Sequence, residues 1–99
     1  MSATATPSPL PSDRPAIAVV TGANSGIGRA TAIHLAAQGL TVYGTVRSAT
    51  KATKLQAMAD DAGVSVHLVE LDVADDDSVR NGFAEIFAAT GGVVDVLVN

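Results

Sequence analysis

Cysteine is absent from the 99 residues, which excludes a disulfide framework, a thiolate nucleophile and a thiolate zinc site. With no sign of an oxidising compartment, a cytoplasmic home is the default expectation. Long apolar runs are missing too. Although 47% of the residues are hydrophobic, no stretch approaches the roughly 20 apolar residues of a membrane helix, so no membrane is expected as partner. Basic residues are scarce, six Lys and Arg against ten Asp and Glu, which argues against a nucleic-acid partner because such a protein needs a basic face. Proline does not occur after residue 15; all four prolines fall in MSATATPSPLPSDRP, among Ser, Thr and Ala. Residues 1–15 therefore read as a flexible leader with nothing to bury. This stretch lacks the apolar core of a secretory signal, and its single Arg is too little for a transit peptide.

What is present begins at Ala16 and is regular. Ala16–Val20 is a short continuous apolar run, the mark of a strand buried on both faces. A glycine-punctuated turn over Thr21–Gly28 leads to a helix predicted from Arg29 to Gln38, stopped by Gly39. Leu40–Val46 is predicted as a second strand. Ser48 or Thr50 is expected to cap a second helix that buries Leu55, Met58, Ala59 and Ala62 and stops at Gly63. Val64–Leu71 is the third predicted strand. Asp75, Asp76 and Asp77 open a third helix, with Val79, Phe83, Ile86 and Phe87 as its apolar stripe and Gly91-Gly92 as its stop. Val93–Val98 is the fourth predicted strand.

Strand alternating with helix in this way specifies an α/β fold, a Rossmann-like doubly wound parallel sheet with right-handed crossover helices. The usual strand order is 3-2-1-4, which reverses direction beside the first strand. The crevice at that reversal lies at the carboxyl ends of strands one and four. In this sequence those ends are the glycine turn and Asn99. Residues 16–99 then read as the N-terminal part of a larger domain, and the stop at Val-Leu-Val-Asn99 as a truncation within it.

The turn reads Thr21-Gly22-Ala23-Asn24-Ser25-Gly26-Ile27-Gly28. Gly22 lets the chain leave the sheet sharply, Gly26 removes a side chain where a pyrophosphate would approach the backbone, and Gly28 permits close packing of helix on strand. The helix aims free N–H groups and its positive dipole end at a bound anion. Asn24 and Ser25 can cap the turn or touch phosphate. The same spacing also occurs in strand-to-helix connections without a ligand. A nucleoside-triphosphate P-loop is excluded, because Arg29-Ala30 follows Gly28 where Lys-Ser/Thr is required.

A nicotinamide cofactor lacking a 2′-phosphate is usually held by an acidic side chain about 20 residues past the glycines. No Asp or Glu occurs between Gly22 and Asp60; Arg47 stands 19 residues beyond Gly28 instead. A guanidinium there can pair with a 2′-phosphate and stack on adenine, with Ser48 adding a hydrogen bond. The expected cofactor is NADP, with NAD second; a solvated Arg at a strand end is the alternative.

TGANSGIG (Thr21–Gly28), Arg47 after the second strand, Leu71-Asp72-Val73 after the third, and Asp95-Val-Leu-Val-Asn99 together resemble the short-chain dehydrogenase/reductases, over about Ile17 to Asn99. The resemblance implies that Asp72 and Val73 border the adenine ring and that Asn99 begins a segment beside the cofactor ribose. By their types alone, Asp72 would be an ordinary loop or cap acid and Asn99 would mean nothing. The candidate cofactor-binding set is Gly22, Asn24, Ser25, Gly26, Ile27, Gly28, Arg47, Asp72, Val73 and Asn99. The family's catalytic Ser and Tyr-x-x-x-Lys pair lie downstream of the segment this chain begins. The sole tyrosine, Tyr43, is followed four residues later by Arg47 rather than Lys, so no catalytic residue is assigned. The resemblance further implies hydride transfer between nicotinamide and a small-molecule alcohol or ketone, and a homo-oligomer as the complete protein.

Other features read as structural. His34 and His67 have no second ligand at metal spacing, so no metal residue is assigned. The three consecutive Asp residues suit a helix start better than a cation site, and Phe83 and Phe87 read as core anchors. Two rival functions are a non-catalytic dinucleotide-binding module and a methyltransferase of similar sheet. The methyltransferase would want an acid where Arg47 stands. The 99 residues alone are expected to be aggregation-prone, with the fourth strand a bare apolar edge, and catalytically silent.

Overall fold

The computed structural model describes residues 14–99, so the leader reading falls outside the described residues except for Arg14 and Pro15. Among the described residues, four strands and three helices alternate. They are β1 (Ile17–Val20), α1 (Gly26–Ala37), β2 (Thr41–Val46), α2 (Thr53–Ala62), β3 (His67–Glu70), α3 (Asp76–Thr90) and β4 (Val96–Val98), with a 3-10 turn at Ala49–Lys51 before α2. The sheet is parallel throughout, in the order β3-β2-β1-β4. Val19, at the centre of β1, is in register with Tyr43 of β2 and Leu97 of β4.

Side chains alternate across the sheet with the two-residue period of a strand. On one face Ala18, Val20, Val42 and Val46 pack with Ala32 of α1 and with Leu55 and Ala59 of α2. On the other, Val19 and Val69 pack with Ile86 of α3, flanked by Tyr43, Phe83 and Val94. The first two crossover helices thus cover one face and the third covers the other, the doubly wound arrangement expected from the sequence. Leu55 and Ile86 are fully buried, each contributing about 1.5–3 kcal/mol by removal from water. Leu97 of β4, at the sheet edge, is 56% exposed.

Several predicted boundaries move, each for a local reason. α1 begins at Gly26 rather than Arg29, because Ser25 is its N-cap and accepts a hydrogen bond from the Gly28 N–H. Ser48 and Thr50 do not cap α2. Their hydroxyls bond each other at 2.9 Å across the 3-10 turn, and α2 starts after Ala52 without a side-chain cap. Met58 and Ala62 face solvent, so the buried stripe of α2 is narrower than predicted. Val64 does not join β3, since its N–H bonds back to Ala59 of α2 and completes the helix end begun at Gly63. β4 is likewise shorter than the predicted Val93–Val98. Phe87 is half exposed and leans on Phe83, with ring centroids 6.0 Å apart. Asp75 caps α3 by accepting from the N–H groups of Asp77 and Ser78, the role the helix-start reading gave the acidic run.

At the edge remote from the glycine turn, Asp95 ties the sheet together. Its carboxylate accepts two bonds from the Arg14 guanidinium, at 2.8 and 3.1 Å, and one from the Ile17 N–H at 2.8 Å. The Arg14 hydrogen bond, and after it the Ile17 N–H, hold the Asp95 carboxyl below the usual aspartate range.

Candidate functional site

β1 ends at Val20, and the next residues are held from both sides. The Thr21 N–H donates to Val98 O on the β4 side, and the Ala23 N–H donates to Thr45 O on the β2 side, both at 2.9 Å. Gly22 lies between them with φ +63°, a conformation open to glycine at little cost. Ser25 then closes the turn on itself. Its hydroxyl donates to Gly22 O at 2.9 Å and accepts from the Gly28 N–H at 3.3 Å, while its own N–H also donates to Gly22 O at 3.1 Å. No acceptor among the described residues meets the Gly26 and Ile27 N–H groups. These are the first two donors of α1, which an anion at a helix start would use.

Gly26 and Gly28 do different work. A Cβ at Gly26 would meet nothing within 4 Å, whereas one at Gly28 would lie 2.2 Å from Gly22 O. Gly26 therefore keeps an approach open, and Gly28 lets α1 pack against the turn rather than against the strand.

A cleft of about 570 Å³ lies over this turn, lined by Gly22, Asn24, Ser25, Val46, Arg47, Ser48, Lys51 and Asp72. It gathers five of the ten residues singled out by sequence: Gly22, Asn24, Ser25, Arg47 and Asp72. Arg47 is exposed at the end of β2 and makes no hydrogen bond or ion pair among the described residues. Asp72 is half-buried; one carboxylate oxygen accepts from the Ala74 N–H at 3.0 Å, and its own N–H donates to Ser78 Oγ at 2.8 Å. It is a loop-capping acid and a cleft residue at once. Gly26, Ile27, Gly28, Val73 and Asn99 are not part of the lining. Ile27 and Val73 are strongly exposed, at 85% and 67%, and Asn99 Oδ1 accepts from the Thr21 hydroxyl at 2.9 Å.

Lys51 lines the cleft and was missed by sequence reasoning. The available signal was a second cation four positions after Arg47, but its place depends on the 3-10 turn between them. Asn24 reaches across to that turn, its Nδ2 donating to Lys51 O at 3.2 Å. Ser48 also lines the cleft beside Arg47. The donors present fit a dinucleotide: free N–H groups of Gly26 and Ile27 at the start of α1, and two cations, Arg47 and Lys51, in the cleft beside the turn.

Among the described residues no helix is long and apolar enough to cross a membrane, and no group of three or more His, Asp or Glu is placed to hold a metal. His67 stacks on Tyr43, ring centroids 4.9 Å apart, which gives both a packing role.

The short chain dehydrogenase family model matches residues 16–99. A 3beta-hydroxysteroid dehydrogenase of Mediterraneibacter gnavus is 41% identical over 83 residues, covering 84% of this chain and 30% of that protein. Glucose dehydrogenase of Caenorhabditis elegans superposes with a TM-score of 0.75 at 34% identity, covering 85% of this chain and 36% of that one. A metagenomic short-chain oxidoreductase in complex with NADP superposes at 0.74 with 32% identity, covering 87% and 39%. The chain spans about a third of the length of the curated relatives it matches. A parallel sheet of order 3-2-1-4, a glycine turn at its switch point and a family match across all but the first 15 residues make this chain a member of the short chain dehydrogenase family of oxidoreductases.

Proposed function

We propose that the protein is an NADP(H)-dependent oxidoreductase and that residues 16–99 are its cofactor-binding part. The observation that carries the cofactor preference is Arg47, unpaired among the described residues in the cleft at the end of β2. The sequence offers no acid there to receive a ribose 2′-hydroxyl. The NADP complex of a similar metagenomic oxidoreductase supports the same reading. When bound, the nicotinamide exchanges hydride with an alcohol or ketone substrate.

The roles of this chain's residues follow from their chemistry. Gly22, Gly26 and Gly28 shape the turn, and the Gly26 and Ile27 N–H groups receive the pyrophosphate. Ser25 fixes the turn as the α1 cap. Arg47 and Ser48 take the 2′-phosphate, Arg47 through its planar fork of donors. Asp72 and Val73 border the adenine, and Asn99 stands toward the ribose. None of the residues in this chain is assigned to proton transfer. The reading extends to a small alcohol or ketone as substrate and to a cytoplasmic homo-oligomer as the complete enzyme.

The test is isothermal titration calorimetry of the full natural protein with NADP and with NAD. NADP is expected to bind at least about tenfold tighter, the value of one good charge-assisted contact, and Arg47→Ala is expected to erase most of the difference. Equal affinities in the unmodified protein would overturn the NADP assignment.

A further inference from the structure

Asp72 is the one acid in the cleft lining among the described residues. Its carboxylate is half committed: Oδ1 accepts from the Ala74 N–H at 3.0 Å, and Oδ2 meets no donor among the described residues. Both backbone polar groups of Asp72 are taken by the start of α3. The Asp72 N–H donates to Ser78 Oγ at 2.8 Å, and Asp72 O accepts from the Asp75 N–H at 3.0 Å. Ser78 is itself held, because its N–H donates to Asp75 Oδ1 at 3.3 Å. The preceding residue, Leu71, is buried, and its N–H donates to Val46 O of β2 at 2.8 Å. On the other side a Cβ at Gly82 would lie 2.6 Å from Leu71 Cδ1, so α3 is pressed close against that side chain. Ser78 and Gly82 stand four positions apart on one face of α3, and that face grips both Leu71 and Asp72.

We propose that Ser78 is a positioning residue for cofactor binding, whose hydroxyl oxygen holds the Asp72 backbone so that the free carboxylate oxygen meets the base of the cofactor. The proposal rests on the reading of Asp72 as bordering the adenine. Ser78 does not line the cleft, so it acts through Asp72 and not by touching the cofactor. The Asp75 link to Asp72 is backbone to backbone, which leaves the Ser78 hydroxyl as the side-chain hold on this residue. Without it the Asp72 N–H loses its acceptor, and the loop that aims the carboxylate is tied at one point fewer. A carboxylate accepts and does not donate, so the group it can recognise on the base is an N–H, and the exocyclic amino group of adenine supplies one.

The experiment is calorimetric titration of the full natural protein with NADP and with its 1,N6-etheno derivative, whose base has lost the amino N–H groups. The parent is expected to favour NADP by at least about tenfold, the value of one charge-assisted hydrogen bond. Ser78→Ala is expected to weaken NADP roughly threefold to tenfold and leave the etheno derivative unchanged. Ser78→Cys, close in size but a weak acceptor, is expected to do the same. Ser78→Thr, which keeps the oxygen, is expected to bind as the parent does. In an Asp72→Ala background Ser78→Ala is expected to add little, since both act on one contact. Equal weakening of both ligands marks a merely structural residue and overturns the proposal, as does an NADP affinity untouched by Ser78→Ala and Ser78→Cys. Additive losses with Asp72→Ala refute action through Asp72, and a Ser78→Thr protein as weak as Ser78→Ala refutes the role of the oxygen. A parent that binds both ligands equally removes the adenine reading of Asp72 and this proposal with it. The comparison of NADP with NAD turns on the 2′-phosphate and decides the cofactor assignment separately.

Discussion

Replacing Gly28 by Ala sets a helix-propensity gain against a steric cost, and the structure decides the sign. Alanine inside a helix is favoured over glycine by about 1 kcal/mol. The new Cβ, however, would lie 2.2 Å from Gly22 O, 2.9 Å from Gly22 C and 3.1 Å from Ser25 Oγ. Reaching even 3.0 Å from the oxygen requires a shift of about 0.8 Å in backbone that is fixed on both sides. Gly22 O accepts from the Ser25 N–H and from the Ser25 hydroxyl, so moving it strains two bonds worth about 1 kcal/mol each. Overpacking of this kind costs about 1–3 kcal/mol. The net expectation for Gly28→Ala is a loss of about 1–3 kcal/mol, read as a lowered urea midpoint with unchanged slope. Cofactor affinity should fall as well, since the turn itself is displaced. Gly26→Ala is the companion measurement, because its Cβ meets nothing within 4 Å. Its stability should hold or rise by up to about 1 kcal/mol, while NADP affinity drops about tenfold or more from intrusion on the pyrophosphate. A Gly28→Ala protein as stable as the parent would refute the packing argument. A Gly26→Ala protein that binds NADP normally would refute the assigned approach of the phosphates.

Three further outcomes are expected in the full natural protein. Gly44→Ala should destabilise by about 1–3 kcal/mol, since its Cβ would lie 2.8 Å from Ala23 Cβ and 3.2 Å from Val66 Cγ1. Cofactor titration should also reveal the displaced turn; an unchanged denaturation midpoint would count against it. Ile86→Ala should cost about 2–5 kcal/mol, because Ile86 is the fully buried anchor of α3 on the sheet, and a loss under about 1 kcal/mol would show that α3 contributes little. The folded pKa of Asp95 is depressed, so its contribution to stability is complete above the ordinary aspartate pKa. That contribution is lost as pH falls through the folded value. Asp95→Asn should therefore flatten the acid limb of the stability–pH curve, and an identical curve would disprove the link.

The layout was legible because strand and helix periods alternate cleanly from Ala16 on, and because Gly63, Asp75 and Gly91 stand where helices stop or start. Strand order led to the glycine turn at the end of β1, but the cleft found there opens over the β2 and β3 ends, with Arg47 and Asp72, and not toward β4 and Asn99. Misreadings came from residues whose local partner competes with the rule applied to them. Ser48 and Thr50 are good cap residues in isolation, yet each satisfies the other. Gly26 and Gly28 look like turn residues, yet Ser25 caps a helix that includes both. Met58 fits the helical period of α2, but that helix lies against the sheet along a narrow line through Leu55 and Ala59. Lys51 stayed hidden because its neighbourhood to the glycine turn is made by one bond from Asn24, 27 residues earlier.

The two sides of β1 also differ in when they can form. Its β2 partner is complete by Val46, and the Ala23–Thr45 bond can then close. Its β4 partner, and the Thr21 hydroxyl bond to Val98 O spanning 77 positions, must wait until residue 98 has been made. At ordinary rates of about 5–20 residues per second, that interval lasts some seconds on the ribosome. Throughout it the wall carrying Asn24, Arg47 and Lys51 can assemble, while the other side of β1 stays an unpaired edge open to wrong partners. The side of β1 that carries the cation-lined cleft is therefore the older side of each newly made molecule, and the side that pairs with Val96–Val98 is the younger.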